Sequence, residues 1–442
     1  MTGMAWARGL ASVLTVSALL GAAPARDSAG GRVVAAGVVY RVVDVPSGRG
    51  TARVHLLTVD LREPGVAVGL LHAGAVAARE RLSVMAGRAG AVAGVNGDFF
   101  HMMEGQHPGV PATGAAVGPV VAAGRAVKGA VPRGQRFGPR LPPGASGRLV
   151  LGVDWAGRAA VRELELRGEV LTPGGRLRLG GLNQYALPVG SVGVFTSEWG
   201  SASRLRAVCG TDTVRGAPCS GETYEVMVRA GRVVATARVP GTGRIGPATR
   251  VLVGREAGAR ALRRLAVGDR VGVRYRLAVR EDPGAAAPAG ADASLRADAT
   301  VRTASGGGSG TDGKGRTGGG DGAGLRFAVG GFRVLRGGEP VPGLDAVAPA
   351  VRTAAGVAGA GHRLLLLALD NGPGFRGGLT LVEAARLLRG LGASEGVNLD
   401  GGGSSTLVAL PGRGTGAVSV LNHPTGGVER PVPNGIGVFV RR

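Results

Sequence analysis

The segment that most restricts the fold is residues 363–410, "RLLLLALDNGPGFRGGLTLVEAARLLRGLGASEGVNLDGGGSSTLVAL". It opens on an unbroken apolar run whose length suits a strand buried on both faces, ending in Asp370. "LTLVEAARLLRGLGA" then predicts a helix. Thr380 at the N-cap and Glu383 three residues later form a capping box. Leu381, Ala384, Ala385, Leu388 and Leu391 recur on one face, and Gly390 and Gly392 help to end it. "GVNL" reads as a second short strand, ending in Asp400. Strand, helix, strand predicts a βαβ unit with a right-handed crossover. Such a unit would deliver Asp370, Asp400 and the Glu383 end of the helix to one sheet edge, where α/β units place ligands.

The rest of the chain reads as strands. Short alternating runs fill residues 33–71 and 150–280, such as "RVHLLTVDL" and "YEVMVRAGRVVATARV", with Gly and Pro between them. The 84 glycines show no G-X-Y period, so they mark turns rather than collagen. Residues 78–90 look helical and 91–95 look like a buried strand. The expected fold class is α+β: mixed, strand-rich sheets with the C-terminal βαβ-like unit packed against them. The expected divisions are 33–150 and 325–442 as two parts of one functional domain and 151–283 as a strand-rich middle region. Residues 284–324 have almost nothing to bury and read as a flexible Gly/Ala-rich linker or insertion.

Residues 1–25 read as a signal peptide. Arg8 precedes an apolar run too short to span a bilayer, and Ala23-Pro24-Ala25 is a small-x-small cleavage site. The expected location is therefore outside the cell, with no membrane contact after cleavage. In that setting Cys209 and Cys219, ten residues apart, are expected to form a disulfide.

The net charge of +23 comes almost wholly from arginine, since Lys128 and Lys314 are the only lysines. The arginines are spread rather than bunched and aromatics are only 3%, which argues against nucleic acid. An anionic glycan suits such a field. His101 and His107 flank "MMEGQ", but no third ligand follows at zinc spacing.

Asp370, Asp400, Asp98 and Glu383 are the candidate carboxylates. Paired carboxylates serve glycoside chemistry or hold a divalent cation. "GVNGD" (94–98) repeats as "GVNLD" (396–400), so two Asn-x-Asp strand ends could meet at one cleft. In "DGGGSS", glycines permit close backbone approach, successive amides can form an anion nest, and Ser404 and Ser405 add donors. It is neither a Walker loop nor a nucleophile elbow. Arg352 and Arg430, beside the same edge, could hold a phosphate.

Together these motifs resemble the phosphodiester glycosidase family. The stretches that carry the likeness run from "AGVNGDFF" and "PATGAAV" through "LNQYALPVGSVGVFTSEWGSASR" and "AVGGFRVLRGG" to "AVAPAVRTAAGV", the 363–410 segment and "ERPVPNGIGVFV". "GDFF" stands where the family often has a glycine before the aromatics. The resemblance implies hydrolysis of a sugar-1-phosphodiester, with an N-acetylglucosamine-1-phospho linkage as one candidate, to free sugar and phosphomonoester. It implies catalytic roles for Asp400, Asp370 and Glu383. It implies substrate or phosphate binding by Asn96, Asp98, Arg352, Thr353, Asn398, Gly401, Gly402, Gly403, Ser404, Ser405, Arg430 and Asn434. No cofactor is required by this chemistry, and a divalent cation stays open. Two other readings remain: a non-catalytic secreted binder of anionic cell-wall glycan, and a divalent-cation-dependent phosphodiesterase cutting the other P–O bond.

Overall fold

The computed structural model describes residues 26–27, 31–280, 322–372, 374–375, 377–412 and 416–441. The expected signal peptide and nearly all of the low-complexity segment lie outside them. Among the described residues no helix is long and apolar enough to cross a membrane.

The strands form three sheets, of nine, eleven and five strands among the described residues. The fold is mainly β with minor helices: the expected strand-rich sheets are present, and helix is the smaller part. The physical reason is periodicity: apolar residues recur at period two or in short runs almost everywhere. Among the described residues, helical elements longer than a single turn are Leu82–Ala89, Ala257–Leu262 and Leu381–Gly390.

The nine-stranded sheet contains Gly50–Asp60, Arg363–Leu369, Thr353–Ala358, Ala393–Asn398 and Phe332–Arg336 as successive neighbours. The expected βαβ unit is present in split form. Arg363–Leu369 and Ala393–Asn398 each pair antiparallel with Thr353–Ala358, which lies between them, so they run parallel to each other without touching. Leu364 to Leu369 are all buried, as an internal strand covered on both faces requires. The connecting helix has its capping box and buries Leu381, Ala384, Ala385 and Leu388. Each such leucine contributes roughly 1.5–3 kcal/mol relative to exposure.

The eleven-stranded sheet holds the middle region but is not confined to it. Ala159–Thr172 pairs with Leu149–Asp154, which pairs with Leu325–Gly330 from the far side of the low-complexity segment; Val120–Ala122 follows. The five-stranded sheet places Ala93–Asn96 between Leu407–Ala409 and Asn434–Val440. A single core joins residues from distant parts of the chain, including Leu56, Phe99, Trp199, Phe332 and Leu388. The Cys209–Cys219 disulfide is formed.

Candidate active site

The segment 399–406 carries the chain from the nine-stranded sheet, which it leaves after Asn398, to the five-stranded sheet, which it enters at Leu407. The two Asn-x-Asp copies meet across this crossing. Asp400 N donates to Gly97 O at 2.9 Å, and Asn96 Nδ2 donates to Asp400 O at 2.6 Å. Asn96 Oδ1 accepts from Thr353 Oγ1 (2.8 Å) and from Thr406 N (3.0 Å). Ser405 Oγ lies 3.1 Å from Thr353 Oγ1 and also 3.1 Å from Arg352 O. Thr353, Asn96 and Ser405 are fully buried, so they fix the backbone of Asp400 rather than face a ligand. Asn398 Nδ2 donates to Leu399 O at 2.7 Å, and its buried Oδ1 has no partner.

The three glycines have different reasons. Gly402 has φ +57°, which disfavours a side chain. At Gly401 a Cβ would collide with Val351 O, and at Gly403 with the Arg430 guanidinium. The loop amides, however, are mostly spent internally. Gly402 N donates to Val351 O, Ser404 N to Gly401 O and Ser405 N to Gly402 O. The expected anion nest is not formed, and charge at this place comes from Arg430. Its Nη1 lies 3.4 Å from Ser404 Oγ. Arg430 also lines an open cavity of about 620 Å³ together with Arg79, Met102, Thr113 and Gly114.

Asp400 remains partly open to solvent, yet its carboxyl is pushed up to about 7. Burial is the largest cause and the charge of Asp98 adds to it; Ser404, Arg430 and the Gly401 amide act the other way. Asp98 is itself buried, which raises its carboxyl, opposed by the Gly118 amide at 2.5 Å and by Lys128. Asn434 Oδ1 accepts from Asp98 N at 3.0 Å and so braces this second copy of the motif. Lys128 is wholly buried, donates to Val117 O, Gly118 O and Gly129 O, and is brought down to about 7 by burial. The carboxylate coupled to Asp400 is therefore Asp98.

Asp370 lies elsewhere. Its Oδ1 accepts from His423 N at 2.6 Å and stands 2.9 Å from His55 Nε2, close enough for an ion pair though off-line for a hydrogen bond. His55 Nδ1 meets Tyr40 Oη at 2.7 Å. Burial raises the Asp370 carboxyl, but His55, the His423 amide and Arg53 outweigh it and hold it below the ordinary range. Asp370 opens on a separate depression of about 580 Å³ with Arg53, His55 and Glu429. Glu383 is not brought to Asp400 either: its Oε2 accepts from Thr380 N and Oγ1 at 2.7 and 2.9 Å. The Arg352 guanidinium is committed to Leu379 O and Ala348 O.

Several neighbours have no counterpart in the sequence reading. Arg79 and Thr113 line the Arg430 cavity. Lys128 carried a signal, as a lysine in a chain that otherwise uses arginine. His101 and His107 do converge, but on Glu104, which also pairs with Arg206. Among the described residues no group of His, Cys, Asp and Glu is suited to hold a metal ion. His101 is pushed down to about 4, by burial first and Arg206 second. The cluster ties the 101–113 loop, and hence Thr113, to the middle region.

Residues 222–439, just under half of the chain, match the family model described as Phosphodiester glycosidase. No curated protein is a match for it. Among solved structures it is similar to a protein from Burkholderia pseudomallei named "Putative exported protein", with 20% identity, a TM-score of 0.65 and coverage of 96% of this chain and 98% of that one. It is also similar to a hypothetical protein from Synechocystis, with 22% identity, a TM-score of 0.61 and coverage of 92% of this chain; it spans 62% of that protein's length. These likenesses concern the fold. The catalytic domain of zebrafish N-acetylglucosamine-1-phosphodiester alpha-N-acetylglucosaminidase aligns at 12% identity over 91% of this chain and 82% of that one. Its TM-score of 0.39 is too low to say anything of the fold.

Proposed function

We propose that the protein is a secreted hydrolase that cleaves a sugar-1-phosphodiester at its glycosidic C–O bond, releasing free sugar and a phosphomonoester. The observation that carries this reading is Asp400. It is a carboxyl tuned to about 7, coupled to Asp98 and within the field of Arg430, which lines an open cavity. A base with a pKa near the working pH is the efficient choice. Arg430 and Arg79 hold the phosphate, and Thr113 adds a donor. Ionised Asp400 takes a proton from water as the water oxygen bonds to the anomeric carbon. The phosphomonoester leaves with the bonding electron pair and needs little acid assistance. The larger demands are holding the anion and stabilising an oxocarbenium-like transition state.

The test uses purified mature protein and a panel of α-linked sugar-1-phosphodiesters, including UDP-N-acetylglucosamine, in ¹⁸O-labelled water. Label is expected in the free sugar. Label in the phosphate would mean P–O cleavage and move the reading to a phosphodiesterase. The reaction as written calls on no cofactor, so a chelator is expected to leave the rate unchanged.

A further inference from the structure

We propose that a groove on the eleven-stranded sheet binds a linear polymer of sugar or polyol units joined by phosphodiesters, apart from the Asp400 site. The groove holds about 980 Å³, far more than either depression near the candidate carboxylates. Arg133, Arg148, Arg176, Arg178 and Arg280 line it against a single acid, Glu165. All five arginines are exposed. Among the described residues the side chains of Arg133, Arg148 and Arg178 make no ion pair. Arg176 and Arg280 have only long partners, Glu169 at 3.5 Å and Glu163 at 3.8 Å. Leu164, Leu166, Leu177 and Leu179 also border it, but along their strands they alternate with the charged residues and pack into the core of the sheet.

This combination selects one class of partner. A row of exposed arginines facing a single acid suits a chain with anionic groups at regular intervals. Arg176 and Arg178 share one face of the Gly175–Leu182 strand, so they stand ~7 Å apart. That is the order of spacing between successive phosphates in an extended phosphodiester chain. Nucleic acid fits less well, because no Phe, Tyr or Trp lines the groove to stack a base. None of the lining residues belongs to the Asp400 or Arg430 surroundings, and the inference does not rest on the catalytic reading.

The experiment is titration calorimetry of the mature protein with a poly(glycerol phosphate) chain of defined length at low salt. Saturable binding that weakens as salt rises is expected. The Arg148→Glu/Arg178→Glu double variant should lose about tenfold or more in affinity. Its unfolding midpoint and its turnover of a small sugar-1-phosphodiester should stay unchanged. Should that variant fail to fold, Arg133→Gln/Arg176→Gln carries the same test. Unchanged polymer affinity in the variants would overturn the proposal. Equal binding of neutral dextran, or tighter binding of a single-stranded oligonucleotide with as many phosphates, would do the same. Polymer binding without small-substrate turnover would remove the catalytic reading and leave the groove standing.

Discussion

Asp370 and Asp400 follow parallel strands of one sheet, at equivalent ends, yet they have become different acids. Asp370 is surrounded by partners that favour its ionised form: His55 at 2.9 Å, the His423 amide at 2.6 Å and nearby Arg53. These hold it ionised and fixed. Asp400 is surrounded by buried protein and a second carboxylate, so its proton is easily gained and lost near neutrality. The strand-end position is common to both. What separates them is the next segment: after Asp370 the chain stays with its own sheet, whereas after Asp400 it crosses to another and meets Asp98. In this fold the two buried acids, Asp98 and Asp400, come together where sheets join.

The comparison breaks or holds first on Asp400→Asn. Turnover is expected to fall about 10²-fold or more with the fold retained. The wild-type pH profile sharpens it. Asp400 acts ionised, so kcat/KM should fall as pH drops below about 7. Near-normal turnover in a folded variant would remove Asp400 from the chemistry. Arg430→Ala comes next, with KM for the anionic substrate raised about tenfold and kcat less affected. Because Arg430 lowers the Asp400 carboxyl, its loss should also move the acid limb of the profile upward. A limb that stays in place would separate the two groups.

Much of this arrangement was legible in the sequence, and the illegible part has a common cause. The strand 363–369, the capped helix and the strand ending at Asn398 follow from local periodicity and capping, which neighbouring residues determine. The repeated Asn-x-Asp signalled a convergence, and Asn96 does reach Asp400. Three points were hidden. Thr353–Ala358 inserts between the two parallel strands, a matter of pairing between residues far apart in sequence. Asp98 rather than Asp370 became the partner of Asp400, because the segments at Gly97, Gly118 and Gly330 approach so closely that a Cβ would collide with its neighbours. The amides of the Gly-Ser loop turned inward, because 402–404 wound into a single turn. Composition reports that a loop can bend, but it does not report where the amides point.

Asp370→Asn should have a smaller effect on turnover, within about threefold of wild type. Its expected effect is on stability. Asp370 has a folded-state pKa below 3.8, so its charge contributes stability above that value and loses it as pH falls. The variant should therefore unfold more readily at pH 7, and the difference should shrink in acid. A turnover loss as large as that of Asp400→Asn would make the two strand ends one site and end the distinction.

The smallest effect is expected from Glu383→Gln. Glu383 shares its place beside the sheet edge with both aspartates, but its carboxylate is occupied. Oε2 accepts from the Thr380 amide and hydroxyl, and Oε1 lies 3.4 Å from Gly48 N. Glutamine keeps one acceptor for the Thr380 amide, so the capping box weakens without being lost. What disappears is the negative charge at the first turn of the helix, worth about 0.3–1 kcal/mol. Chemical denaturation should register a loss of that size, and turnover should not change. A tenfold fall in turnover at unaltered stability would reverse the reading: the carboxylate would then act on substrate, and the cap would be what holds it in place.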